Sequence, residues 1–316
     1  MFAFYMAWKG VDFKTATEEL SRRVGAEPAE PRPNATRPII LPAPASPGPI
    51  WSARAEQYVR WAESNLANHA GAQEYLNKER GLSPETWRAF RLGYNPDNLY
   101  DDPARWGLDG KKIWLPRGIV IPGFWQGKPW YVKVRRPRPG ELIGRYVGEW
   151  TELDGLPEVK FGGPRGGHSS LFRLEMNHTM PVLILTEGEW DAMLLWEHCP
   201  DLCDAGTIGG ARSHFDELDL SLLTRYVAVL VVHDDDKAGA KGREYISELA
   251  ARFGRVKSIA PPAHDLTDFW KSGGHLRAWM AGHVAEALEM AMTGMDDQLL
   301  AKTDWMGIAR LARDES

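Results

Sequence analysis

The chain is 316 residues long, 43% hydrophobic, and carries a formal net charge of −5, enough length for two modest hydrophobic cores. No apolar run approaches the roughly 18 residues of a membrane-spanning helix, and no charged leader followed by an apolar core opens the sequence, so a cytoplasmic protein without a membrane partner is expected. The two cysteines, Cys199 and Cys203, are too few for a disulfide framework or a zinc site.

The acidic total hides a division. Residues 111–173 hold 12 Lys/Arg against 5 Asp/Glu, while residues 181–274 hold 9 against 16. Cations suit phosphates and carboxylates suit metal ions, so the juxtaposition fits a metal-dependent enzyme acting on a polyanion. A merely solvated basic face fits the counts equally well.

In chain order, residues 1–25 carry a helical pattern through Phe13, Ala16, Leu20 and Val24. Residues 26–50 hold eight prolines. Proline fixes φ and removes a backbone donor, so this segment reads as an extended linker. From Trp51 the apolar positions Ala55, Tyr58, Val59, Ala62 and Leu66 recur at three- and four-residue steps, which predicts an amphipathic helix. A second helical stretch, 72–78, ends at Gly81. A third begins with Ser83 as N-cap, Pro84 at the first helical position and Glu85 in the first turn, and runs through Trp87 and Phe90 towards Gly93-Tyr94-Asn95-Pro96.

Residues 113–147 read as antiparallel strands, chiefly 118–122 and 129–136, turned at Gln126-Gly127. Strand alternation sets Tyr131, Lys133 and Arg135 on one face and Trp130, Val132, Val134 and Arg136 on the other. Cations beside an aromatic on an exposed face suit single-stranded nucleic acid; a plain surface strand is the alternative. The glycine-rich stretch 159–167, with Lys160 and Arg165, has the composition to bring N–H groups and cations to a phosphate, although it matches no P-loop pattern.

Two short β-branched runs follow, 182–185 and 227–232, with helical patterns between them, and these read as buried parallel strands. Each leads directly into acids: Glu187-Gly188-Glu189-Trp190-Asp191 after the first, His233-Asp234-Asp235-Asp236 after the second. Both clusters then lie at carboxyl ends of strands, where open α/β sheets bind ligands. A helix over 190–198, a strand over 204–208 and a helix over 213–223 connect them and allow the acids to meet. Crowded carboxylates repel unless a divalent cation offsets their charge, and hard oxygen donors favour Mg2+ or Mn2+. An isolated acid at a strand end is ordinarily a cap or a solvated loop residue; two clusters after two strands favour a metal site. Residues 261–269 add Asp265 and Asp268. Beyond His275 one helix is expected through Leu276, Trp279, Met280, Val284, Leu288 and Met290, then a polar tail.

Glu187-Gly188-x-x-Asp191 after one strand and Asp234-x-Asp236-x-Ala238-Gly239 after a later one resemble the Toprim domain of bacterial-type primases, topoisomerases and some nucleases. The run Tyr75-Leu76-x-x-x-Arg80-Gly81-Leu82-Ser83, continuing to Gly93-Tyr94, resembles the signature that opens the polymerase core of bacterial-type (DnaG-like) primases, which topoisomerases and Toprim nucleases lack. Asp265-x-x-Asp268 resembles the segment that follows the Toprim acids in primases. Lys160 falls where these primases carry a basic lysine, with a departure at Phe161-Gly162-Gly163. Residues 4–16 are similar to the end of the primase zinc-ribbon module; the Cys/His ligands that precede it there are absent here, so no zinc is expected in this chain.

The resemblance covers about 51–274, with a remnant in 1–25. It implies an α/β Toprim domain, a mainly parallel sheet with helices on both faces, over 179–274. A mixed α+β subdomain with a basic surface (51–178) precedes it, and a C-terminal helix and tail (275–316) follow. It implies a nucleotidyltransferase that makes short RNA primers on single-stranded DNA from nucleoside triphosphates, in a host or phage replication system, with a replicative helicase or a separate zinc-binding chain as possible partners. Family resemblance assigns Glu187 to metal binding or proton abstraction, Asp234 and Asp236 to metal coordination, and Asp191 and Asp265 to support of the same cluster. Lys133, Arg135, Arg136, Arg145 and Lys160 are candidate template or triphosphate contacts. A Toprim phosphodiesterase and a non-catalytic nucleic-acid or replisome-binding protein are the alternatives.

Overall fold

Apolar residues three and four apart give the first helix its buried face. In the computed structural model, which describes residue 15 and residues 46–148, 159–168, 172, 180–207, 223, 226–232 and 256–292, helix α1 (Pro49–Ala67) buries Trp51, Ala55, Tyr58, Val59, Ala62 and Leu66. It starts two residues inside the expected linker, with proline at its first position, where the missing N–H has no intrahelical acceptor to lose. The elements described below all fall within one compact unit, Pro42–Ser316. The helical pattern of residues 1–25 and most of the linker lie outside the described residues.

Helix α2 (Ala70–Glu74) continues into a π-helical turn, Tyr75–Glu79, and the chain reverses at Gly81 with φ +66°. Only glycine adopts that conformation freely, and a Cβ there would also lie 2.9 Å from Leu194 and Trp270 side-chain atoms. Helix α3 (Pro84–Ala89) opens as its sequence demands, with Ser83 Oγ accepting from the Thr86 N–H and Glu85 in the first turn.

Next come β1 (Gly93–Asn95), β2 (Leu99–Asp101), β3 (Ile113–Leu115), β4 (Gly118–Trp125) and β5 (Lys128–Arg135), a short helix α4 (Ile143–Val147), and β6 (Phe161–Gly162). Strands β1-β4-β5-β6 form an antiparallel sheet in that order, and β2 pairs with β3 separately. The β4–β5 turn has positive φ at both Gln126 and Gly127, which matches the twist of the flanking strands. Residues 143–147 are helical rather than extended. Both faces of the sheet are covered: Ile119, Ile121 and Tyr131 belong to one apolar cluster, and Val120, Val132 and Val134 to another beneath α1. The face carrying Tyr131 and Arg135, expected at the surface, is therefore enclosed.

The remaining elements are β7 (Val182–Thr186), α5 (Glu189–His198), β8 (Asp204–Thr207), β9 (Ala228–Val232), β10 (Val256–Ile259), α6 (Leu266–Lys271) and α7 (Leu276–Met292). The strands form a parallel sheet in the order β10-β9-β7-β8. The helix expected at 213–223 lies outside the described residues except for Leu223. Tyr75, Leu76 and Leu82 of the hairpin, Ile119 and Ile121 of the antiparallel sheet, and Val182, Ile184 and Leu230 of the parallel sheet share one core. Among the described residues, no helix is long and apolar enough to cross a membrane.

One carboxylate ties the hairpin to α5. Glu197 accepts from Ser83 N and Ser83 Oγ, each at 2.9 Å, and from Thr86 Oγ1. Burial raises its pKa, but the bonds from Thr86 and Ser83 outweigh that and hold it below the usual glutamate value. Glu197→Ala leaves the buried Thr86 hydroxyl without this acceptor and should cost about 2 kcal/mol in urea denaturation at pH 7. Because the folded pKa is depressed, this contribution is present above the ordinary value of 4.5 and fades below it. The difference between wild type and variant should therefore shrink as the pH falls below about 4.5.

Candidate active site

Strands β7 and β9 run parallel with Thr186 opposite Val232, so the chain leaves both at the same sheet edge. Glu187 follows the first strand; His233, Asp234 and Asp236, which come after the second in sequence, lie outside the described residues. The turn after β7 is fixed by two threonines. Thr186 Oγ1 donates to the Gly188 carbonyl at 2.8 Å, and Thr207 Oγ1, from the end of β8, donates to the Glu187 carbonyl at 3.0 Å. Glu187 itself is half-buried, with Oε2 enclosed.

The next two acids of the turn have separate tasks. Glu189, 3% exposed, accepts at Oε1 from Lys133 Nζ at 2.6 Å and from the Tyr131 hydroxyl at 3.4 Å, both on β5. Asp191 is buried and accepts at Oδ1 from Thr267 N at 3.1 Å and Thr267 Oγ1 at 2.7 Å, in the first turn of α6. Burial, and then the charge of Asp265, push the Asp191 carboxyl up to about 6. Asp265 caps α6 by accepting from Asp268 N at 2.6 Å. With His264 and Asp268 it forms a group whose ligand atoms lie within 4.8 Å of one another.

Sequence reasoning did not single out Glu189, Thr267 or Arg80. The Arg80 guanidinium lies 5.4 Å from the Tyr75 ring centre and 5.1 Å from that of Trp190, and its Nε donates to the Tyr75 hydroxyl at 2.9 Å. Its charge partly offsets the upward push on Asp191. The signal for Glu189 was available: in Glu-x-Glu-x-Asp at the start of a helix, all three acids cannot aim at one ion. Thr267 offered no such signal, since its role exists only through α6 packing on α5.

The five candidate cations divide. Lys133, Arg135 and Lys160 lie around the Phe161 ring at 5.7, 5.8 and 5.9 Å from its centre. Lys160 is an exposed residue whose ammonium is pushed down in pKa by loss of hydration and then by Arg135 and Arg80. Arg135 is enclosed, with Nη1 on Glu141 Oε2 at 2.8 Å. Burial raises Glu141, yet hydrogen bonds from Arg138 and Arg135 hold it at about 2.

Arg136 is 2% exposed, with its guanidinium 4.7 Å from the Trp114 ring centre and Nη1 donating to the Val159 carbonyl at 3.2 Å. Arg135 and Arg136, expected to reach nucleic acid from an exposed face, are thus covered by protein because both faces of their sheet are packed. Arg145 is exposed on α4. In the glycine-rich stretch, Gly162 pairs with Val134 in the sheet, and a Cβ on Gly163 would lie 2.3 Å from the Val132 carbonyl oxygen, so these two glycines allow close strand approach.

No family model matches the chain. In sequence it is 25% identical over 251 residues to the DNA primase of Pasteurella multocida (strain Pm70), a match covering 75% of this chain and 42% of that protein. The chain thus spans less than half the length of that curated relative. In structure it is similar to the zinc-binding and RNA polymerase domains of Aquifex aeolicus primase, with TM-score 0.54, 18% identity, and coverage of 99% of this chain and 80% of that one. It is similar also to the DnaG catalytic core (TM-score 0.57, 17% identity, 84% and 90% covered). A DnaG primase catalytic domain bound to single-stranded DNA gives TM-score 0.55, 18% identity, and coverage of 84% and 92%. The chain therefore has the fold of a DnaG-like primase catalytic core, a Toprim-type parallel sheet joined to a mixed α+β part.

Proposed function

We propose that this chain is a primase-like nucleotidyltransferase that makes short RNA primers on single-stranded DNA from nucleoside triphosphates. The observation that carries the reading is the docking of β5 on the acidic turn, where Glu189 holds Lys133 two residues from both Glu187 and Asp191. A cation able to neutralise phosphate is thereby tied to the turn whose carboxylates suit a metal. Similarity to a DNA primase and to a DnaG domain bound to single-stranded DNA supports the polymerase class and the template. On this reading residues 51–178 form the subdomain that presents basic side chains, 179–274 the Toprim domain, and 275–316 a C-terminal helix and tail. A replicative helicase or a zinc-binding chain would be the partner.

The donor set fits a hard divalent cation. Glu187, Asp191, Asp234, Asp236 and Asp265 offer carboxylate oxygens. In Asp191 the ionised form is disfavoured by burial and by Asp265, a conflict that a bound cation removes. Mg2+ or Mn2+ held there supplies a lowered pKa for the attacking 3′ hydroxyl and neutralises charge on the leaving pyrophosphate. The chain's own groups do the rest. Glu187 accepts the hydroxyl proton as the new bond to the α-phosphorus forms and the bond to the pyrophosphate oxygen breaks. Lys133 and Lys160 bind the phosphate chain, and Arg145 contacts the template. Thr267 keeps Asp191 in place.

With Mn2+, single-stranded template and nucleoside triphosphates, the wild type should form dinucleotides, and Glu187→Ala or the pair Asp234→Ala, Asp236→Ala should lower the rate about 100-fold or more. Equal rates would remove the metal assignment. Cleavage of a labelled single strand without triphosphates would identify a phosphodiesterase instead.

A second test uses stability. In metal-free protein Asp191 titrates at about 6, against an ordinary 3.8. Its folded pKa is raised, so the associated stability is full below 3.8 and is lost as the pH climbs through 6. The loss is on the order of 3 kcal/mol. With chelator at pH 8, Asp191→Asn should be more stable than the wild type in urea denaturation, and the gap should close towards pH 4. Added Mn2+ should stabilise the wild type more than the variant. A gap that stays constant from pH 4 to pH 8 would show that this carboxyl is not strained.

A further inference from the structure

Phe161 has three positive groups around one ring: Lys133 Nζ at 5.7 Å, Arg135 Cζ at 5.8 Å and Lys160 Nζ at 5.9 Å from its centre. Like charges gather this closely only where something offsets their repulsion. Glu189 does so for Lys133 and Glu141 for Arg135; the electron-rich ring contributes the rest. Lys160 feels the neighbouring cations too: its pKa is lowered first by loss of hydration and then by the charges of Arg135 and Arg80. Backbone geometry makes the arrangement possible. Phe161 pairs with Arg135 across β5 and β6, and Gly163, with no room for a Cβ beside the Val132 carbonyl, lets the edge strand close on its neighbour.

We propose that Phe161 is a positioning residue for polyphosphate: its half-buried ring gathers Lys133 and Lys160, with the enclosed Arg135, into one cationic cluster that takes the triphosphate of the incoming nucleotide. The inference rests on the nucleotidyltransferase reading of the site, but it concerns binding, which is measured without turnover. A triphosphate suits the cluster better than a nucleic-acid strand. It carries its charges on three adjacent phosphorus atoms, whereas a strand carries one phosphate per nucleotide, and these cations converge on a single ring.

The test is calorimetric titration of the full chain with inorganic tripolyphosphate in the presence of chelator. Wild type and Phe161→Tyr should bind within about twofold of each other, since tyrosine keeps the π face. Phe161→Leu, which keeps apolar bulk without that face, should bind about five- to tenfold more weakly at an unchanged melting temperature. A ring-fluorinated phenylalanine at 161, which keeps the shape and empties the π face, should give the same loss and replaces the leucine variant if that one does not fold. Wild-type affinity in the π-depleted variant, or an equal loss in Phe161→Tyr, overturns the proposal. So does tripolyphosphate failing to bind while an oligo-dT strand binds in a Phe161-dependent way. Phe161-dependent tripolyphosphate binding by a protein that forms no dinucleotide would leave this inference standing and remove the proposed function; normal synthesis with no Phe161 dependence would do the reverse.

Discussion

The ion pair between Lys133 and Glu189 fixes how the cationic strand lies on the acidic turn. Its two residues are 56 positions apart. The carboxylate is almost wholly enclosed, whereas the lysine side chain keeps 24% of its exposure. Burying such a pair costs desolvation that its attraction barely repays, so an apolar contact would serve stability at least as well. What the pair provides is register. A lysine and a hydroxyl on alternate residues of β5 meet one carboxylate oxygen at the start of α5, and a shift of the strand by one residue would turn both to the opposite face. Losing one partner would leave an uncompensated buried charge, a penalty of about 3–5 kcal/mol, so the two sheets are held in one relative placement.

That placement divides labour among acids which look equivalent in the sequence. Glu187, Glu189 and Asp191 alternate through the end of a strand and the first turn of a helix. Gly188 caps the helix, and the helix N-terminus favours negative charge close by. One of the three is engaged by β5 and another is held by Thr267 of α6, so each carboxylate has its own surroundings. The cations divide in the same way. Arg135 and Arg136 lie inside the protein, where they brace the sheet through Glu141 and Trp114, while the lysines keep contact with solvent.

Much of this was legible where local chemistry decides. The apolar steps in α1 became its buried face, Ser83 and Pro84 opened α3, and the two β-branched runs became adjacent parallel strands that end at one sheet edge. The failures share a cause. Alternation along β5 told which residues share a face but not what covers that face, because the covering elements come from elsewhere in the chain. Phe161-Gly162-Gly163 reads as a loop, since two residues of edge strand carry no periodicity. The partner of Glu189, and Thr267 beside Asp191, are long-range contacts with no local trace.

The strand-end acids also show how closely folding and chemistry are coupled here. Asp265 begins α6 by accepting the Asp268 N–H, and its charge is what Asp191 feels across the site. Thr267, in the same first turn, places two donors on Asp191. The cap that starts α6 and the carboxylates that would hold a metal are thus partly the same atoms. The geometry that gathers Asp191 and Asp265 raises the cost of ionising Asp191, and a cation bound beside them would offset that cost and favour α6 against α5. Metal affinity and the docking of α6 would then be linked quantities, as they are wherever ligands must shed protons and come together before an ion can bind.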